Sequence, residues 1–97
     1  MGLNYLDALG TKIRAHVPRA DLPEENTKDL FRIYAVLLLA KGTAVTAEDV
    51  HNAWAAWMSG TDPSHDAIVP FAELTSDMAG DDEPYVKAIR AVARAVT

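Results

Sequence analysis

Residues Thr46 to Gly60 read TAEDVHNAWAAWMSG, and the fold is decided by how this stretch is read. Thr46 can lend its hydroxyl to the free N–H groups at a helix start, and Glu48 and Asp49 put negative charge where the helix dipole favours it. Val50, Trp54, Trp57 and Met58 then recur at i, i+4, i+7 and i+8, the spacing of one helix face. Gly60 reads as the stop.

Upstream the same period continues. A helix begins near Asn26 or Thr27, both good caps. Leu30, Ile33, Tyr34, Leu37 and Leu38 form its stripe. Val36 and Leu39 make it apolar nearly all round, so it is expected to be central and the most buried. Gly42 is its natural C-cap. Before it, Leu6, Leu9, Ile13 and Val17 share one helix face. Asn4 is placed to cap that face with Asp7 three residues on, Gly10 weakens the helix, and Pro18 ends it. Arg19 to Glu25 read as a loop.

Downstream, Thr61 to Phe71 read as an ordered loop. Pro63 and Pro70 block helix propagation, while apolar Ile68, Val69 and Phe71 hold the loop to the domain. Ala72 to Ala79 carry a short helical turn. The last helix starts near Asp81 or Asp82 with Pro84 in its first turn. Tyr85, Ile89, Val92 and Val96 line one side, and Lys87, Arg90 and Arg94 lie on another. No segment alternates with period two. The expected fold is therefore all-α: one small domain over 1–97, built from four main helices, with a Pro-containing loop between the third and last.

Size and composition agree. The chain has 97 residues, enough for one domain, and 49% are hydrophobic, which excludes a disordered charge-rich class. No apolar run approaches the ~20 residues of a membrane span. The start lacks a basic segment followed by an apolar one, so no signal peptide is expected. There are no cysteines. That rules out disulfides, thiolate metal sites and a cysteine nucleophile, and the cytoplasm is the expected location. The net charge is −5, unevenly spread. From Ala47 to Pro84 there are nine Asp or Glu and no Lys or Arg. Such a segment repels phosphate backbones and argues against nucleic acid as a partner. It suits a cation or a basic partner, or simply a solvated surface.

Motifs for chemistry are sparse. His16, His51 and His65 are available as bases, but no nucleophile context accompanies them, so a binding module and not an enzyme is expected. Asp62, Ser64, Asp66 and Glu73 fall at positions 1, 3, 5 and 12 of a calcium-loop template. Ala67 and Pro70 stand where that template wants Gly and a flexible residue, so no metal is expected. No cofactor is expected either.

One group of residues invites a closer reading. His51, Asn52, Trp54 and Trp57 precede a loop with His65, then Ile68-Val69-Pro70-Phe71-Ala72-Glu73-Leu74, then Asp82 and Tyr85. This arrangement over residues 50–92 resembles the ryanodine-receptor repeat, the RyR domain. That family has a Trp-bearing helix, a loop with a His-Pro pair and a Leu-Val-Pro-Tyr-x-x-Leu-like stretch. Here His65 is followed by Asp66 in place of Pro. The resemblance implies small-ligand sensing, with nucleotide-like ligands as the family's bacterial precedent. The N-terminal half is similar in texture to small helical proteins of actinobacteria and their phages.

The reading that follows is a non-enzymatic recognition module. Its candidate ligand- or partner-binding residues are His51, Trp54, His65, Pro70, Phe71 and Glu73, expected close together in space. Two other readings stand beside it. One is a protein-interaction module that masks a basic partner with its acidic surface. The other is a self-associating subunit, for which a homodimer is the expected form. A small-ligand module needs a concave site with a few convergent polar groups, and a subunit needs an exposed apolar patch.

Overall fold

A computed structural model describes residues 4–23 and 27–96, and among these there are helices and turns but no strand. The elements are α1 (Tyr5–His16), α2 (Lys28–Lys41), α3 (Ala47–Thr61), the short α4 (Ser76–Gly80) and α5 (Glu83–Val96). Single 3-10 turns stand at Arg19–Asp21, Gly42–Ala44 and Phe71–Glu73. The fold is all-α, with four main helices and an ordered loop between α3 and α5. None of the helices is long and apolar enough to cross a membrane.

The caps follow local chemistry. The Asn4 side chain accepts the Asp7 N–H at 2.8 Å and opens α1. Thr46 and Asp49 form a reciprocal box at the start of α3: the Asp49 N–H donates to the Thr46 hydroxyl at 3.2 Å, and the Thr46 N–H donates to Asp49 at 3.0 Å. Gly42 closes α2 at φ 56°, a left-handed conformation that favours glycine.

Three sequence expectations need correction. Gly60 does not stop α3, which runs on to Thr61. One glycine near a helix end is tolerated, and the break comes where Pro63 follows. Thr27 precedes α2 but makes no capping bond with its side chain. Its hydroxyl instead accepts from Arg14 at 3.2 Å, tying α1 to α2; Asn26 lies outside the described residues, as do Glu24 and Glu25 of the expected loop. Finally, α2 is central but not covered all round. It packs against α1, α3 and α5, yet Val36 and Leu39 are 52% and 55% exposed. Three neighbours leave one side of a helix free.

The core joins Ile13 of α1, Leu30, Phe31, Tyr34 and Leu38 of α2, Val50 of α3, and Val86, Ile89 and Val92 of α5. Phe31 and Tyr34 meet edge to face at 5.5 Å. Two polar ties lock helices together. Asp7, almost buried, is bridged by Arg32 of α2. Arg90 of α5 donates twice to the Val45 carbonyl, at 3.0 and 2.7 Å, where the chain passes from α2 to α3. The first ties α1 to α2, and the second ties α5 to the junction of α2 and α3.

Candidate functional site

The α3–α5 connection is 21 residues long and must be held by something other than regular structure. Its first part orders itself. Asp62 accepts the Ser64 N–H at 3.3 Å and the Ser64 hydroxyl at 2.8 Å. The His65 imidazole accepts the Ala67 N–H through Nδ1 at 3.0 Å, so its proton sits on Nε2. Its second part is tied to α3 by His51, whose Nε2–H donates to the Val69 carbonyl at 2.6 Å. This imidazole is only 3% exposed. A carbonyl can only accept, so Nε2 carries a proton.

Around this anchor the rings gather. His51 stacks on Trp54 at 5.8 Å and 27° and meets Phe71 at 6.1 Å. The edge of His65 approaches Trp54 at 5.1 Å and 82°. Of the six candidates read from sequence, the structure thus joins His51, Trp54, His65 and Phe71. Pro70 sits beside them as the exposed residue leading into the Phe71–Glu73 turn. Glu73 is exposed and does not line the cleft described next. The template residues Asp62, Ser64, Asp66 and Glu73 do not converge. Among the described residues no group of three or more His, Asp or Glu side chains is arranged to hold a metal ion.

Beneath the loop lies a cleft of about 470 Å³. One wall is α3, with His51, Trp54 and Trp57; the floor is α2, with Leu30 and Tyr34. His65, Leu74 and Met78 enclose it from the loop side, and Asp81, Asp82 and Tyr85 from the start of α5. Asp21 and Pro23 reach its rim from the α1–α2 connection. The Tyr85 hydroxyl donates to the Asp21 carbonyl at 2.7 Å and bridges that rim.

The electrostatics centre on Asp82. Its Oδ2 is shielded from solvent and has no hydrogen-bond partner among the described residues. Burial pushes its carboxyl up to about 6, charge on His51 opposes the rise, and Asp81 and Glu83 add to it. Burial also raises the Tyr34 phenol far above its ordinary value, with Tyr85 and Asp82 acting in the same direction. No Lys or Arg is among the residues that line the cleft.

Sequence reasoning found the α3 face and the loop but missed most of the cleft. Trp57, Asp82 and Tyr85 belong to the RyR-like group but not to the six binding candidates, and Tyr34 reads as core. The missing signal was spatial: these residues lie on three helices. The sequence clues were the RyR-like group, which holds Trp57, Asp82 and Tyr85, and the acid-only charge of the segment from Ala47 to Pro84.

No curated protein and no solved structure matches the chain. A family model described as a domain of unknown function, DUF7701, matches residues 4–94, which takes in α1 to α4, the loop, the cleft and α5 as far as Arg94, and the chain belongs to that family.

Proposed function

We propose that the chain is a non-enzymatic recognition module that takes a small ligand, or a single side chain of a protein partner, into the cleft between α2, α3 and α5. The observation that carries this reading is the cleft itself: concave, about 470 Å³, walled by aromatic rings, with a shielded carboxylate oxygen that has no partner among the described residues. Ligand sites generally have this build, mostly apolar with a few convergent polar groups. An unsatisfied buried acceptor is disfavoured by about 1–3 kcal/mol, a penalty that an arriving donor removes. The likeness of residues 50–92 to the RyR repeat points towards ligand sensing as well.

The test is a fragment screen by NMR on the labelled protein, read at the Trp54 and Trp57 indole N–H signals. Binders are expected to shift these signals saturably. His65→Asn keeps an acceptor for the Ala67 N–H and removes the ring from Trp54, so it is expected to weaken capture while melting stays nearly unchanged. A screen in which hits map elsewhere, or in which none perturbs these signals, rejects the reading.

Self-association is the second reading, favoured by Val36 and Leu39, three residues apart and exposed on the outer side of α2. Sedimentation velocity at high micromolar concentration is expected to give a dimer under that reading. A monomer mass removes it.

A further inference from the structure

We infer that the cleft selects an organic cation, an ammonium or guanidinium group on a short apolar stem, with Asp82 as its counter-charge and the tryptophan rings of α3 beside it. This deepens the proposed recognition role and rests on it.

Three features of the cleft bear on the sign of the ligand. The first is charge. Asp21, Asp81 and Asp82 line the cleft, and no Lys or Arg does. An anion would find no Lys or Arg in this lining; its basic side chains are the imidazoles of His51 and His65. The second is the unsatisfied acceptor. Asp82 Oδ2 is shielded from water and unpartnered among the described residues. His51, in the same lining, gives its Nε2–H to the Val69 carbonyl at 2.6 Å. A carboxyl pushed up to about 6 by burial still carries its charge in most molecules at neutral pH, and the half-buried Asp82 has no Lys or Arg among the lining residues to pair with it. The third is the walls. Trp54, Trp57, Tyr34 and Tyr85 line the same space, and aromatic faces attract cations. One side of Trp54 is taken by His51. No ring contact of Trp57 is found among the described residues, and its half-buried indole is the one available for such a contact.

The apolar lining sets the rest of the ligand. Leu30, Leu74, Met78 and Pro84 supply a surface for methylene groups. A bare metal ion or ammonia would leave that surface unused. An alkyl stem ending in a charged nitrogen uses both parts, and such a group can arrive as a free amine or as a Lys or Arg side chain.

The test uses the full chain and a matched probe set. The probes are n-butylammonium and n-butylguanidinium as cations, 1-pentanol as the neutral analogue and pentanoate as the anion. Each is titrated while the Trp54 and Trp57 indole N–H signals are followed. The cations are expected to bind at least tenfold more tightly than pentanol or pentanoate. Asp82→Asn is expected to lose at least tenfold in cation affinity with little change for pentanol. Asn is as good a residue as Asp ahead of a helix, and a melting curve checks that the variant is folded. The wild-type probe series decides the matter even if the variant fails to fold. N-acetyl-lysine amide and N-acetyl-arginine amide separate the two sources. Binding as tight as the alkyl cations assigns the group to a peptide side chain, and binding tenfold weaker assigns it to a free amine. Equal or tighter binding of pentanol or pentanoate in the cleft overturns the cation and leaves the recognition role standing. Absence of shifts with all probes at millimolar concentration also overturns the cation, and the recognition role then stands or falls on the fragment screen.

Discussion

At the scale of single residues, the glycines show how neighbours decide the sign of a substitution. Gly10 lies where α1 crosses α2, and a Cβ there would stand 3.0 Å from the Phe31 carbonyl oxygen. Gly60 has nothing within 4 Å of the same position. Alanine is the better helix former by about 1 kcal/mol at either site. At Gly10 that gain meets an overpacking penalty of about 1–3 kcal/mol against backbone that cannot swing aside. Gly10→Ala is therefore expected to lower stability by about 1 kcal/mol, and Gly60→Ala to raise it by about 0.5 kcal/mol, both read from urea unfolding midpoints. A gain at Gly10 would show that the α1–α2 crossing is looser than described. Asp82 offers a second test at this scale. Its folded value of about 6 lies above the unfolded 3.8, so the folded state holds the proton more tightly. Its contribution to stability is complete below 3.8 and is lost as pH rises through about 6. Asp82→Asn is expected to raise stability at pH 7 by about 1 kcal/mol, after discounting for partial exposure, and the advantage should vanish by about pH 4. An advantage that is independent of pH would remove burial of the charge as its cause.

At the scale of elements, α3 and the loop it holds depend on two polar devices. The Thr46–Asp49 box satisfies N–H groups that α3 would otherwise leave free. Thr46→Ala is expected to destabilise by about 1 kcal/mol. The His51–Val69 bond has a different consequence because it joins two elements. His51→Phe preserves a ring between Trp54 and Phe71 but leaves the Val69 carbonyl without its donor. Global stability is expected to fall by about 1–3 kcal/mol. Amide exchange should accelerate most over residues 62–75, because local opening is easiest where few regular hydrogen bonds hold the chain. Uniform acceleration across all helices would mean that His51 supports the core and not the loop.

At the scale of the molecule, stability against pH combines opposed terms. The hydrogen bond from Arg32 holds the Asp7 carboxyl below its ordinary value against the effect of burial, with the Arg32 and Lys28 charges assisting. A depressed carboxyl stabilises above the unfolded 3.8 and loses that contribution as pH falls through its folded value. Asp82 acts in the other direction up to about 6. The melting temperature is expected to be highest between roughly pH 4 and 6. Asp7→Asn should lower the maximum and flatten the acid limb, as followed by circular dichroism at 222 nm. An acid limb unchanged in that variant would dissociate Asp7 from acid unfolding.

The four helices were legible from residue order because each depends on neighbours within a turn or two. Asn4, Thr46 and Gly42 act on backbone groups three or four residues away, and stripes such as Leu30–Tyr34–Leu38 declare a buried face by spacing alone. Even the aromatic gathering of His51, Trp54, His65 and Phe71 was foreshadowed, since an apolar loop flanked by prolines has to return to the helix it leaves. What tertiary structure decided were relations across elements. Nothing near Gly10 in sequence reveals the Phe31 carbonyl above it. Nothing near Glu73 reveals that it stays exposed and outside the cleft lining, or near Val36 and Leu39 that both remain exposed on α2. Asp82 is the clearest case. By local chemistry it is a helix-start acid among several. Its Oδ2 becomes shielded, and unpartnered among the described residues, only because α2, α3 and the loop close around it, and desolvation is a property of that enclosure and not of the residue.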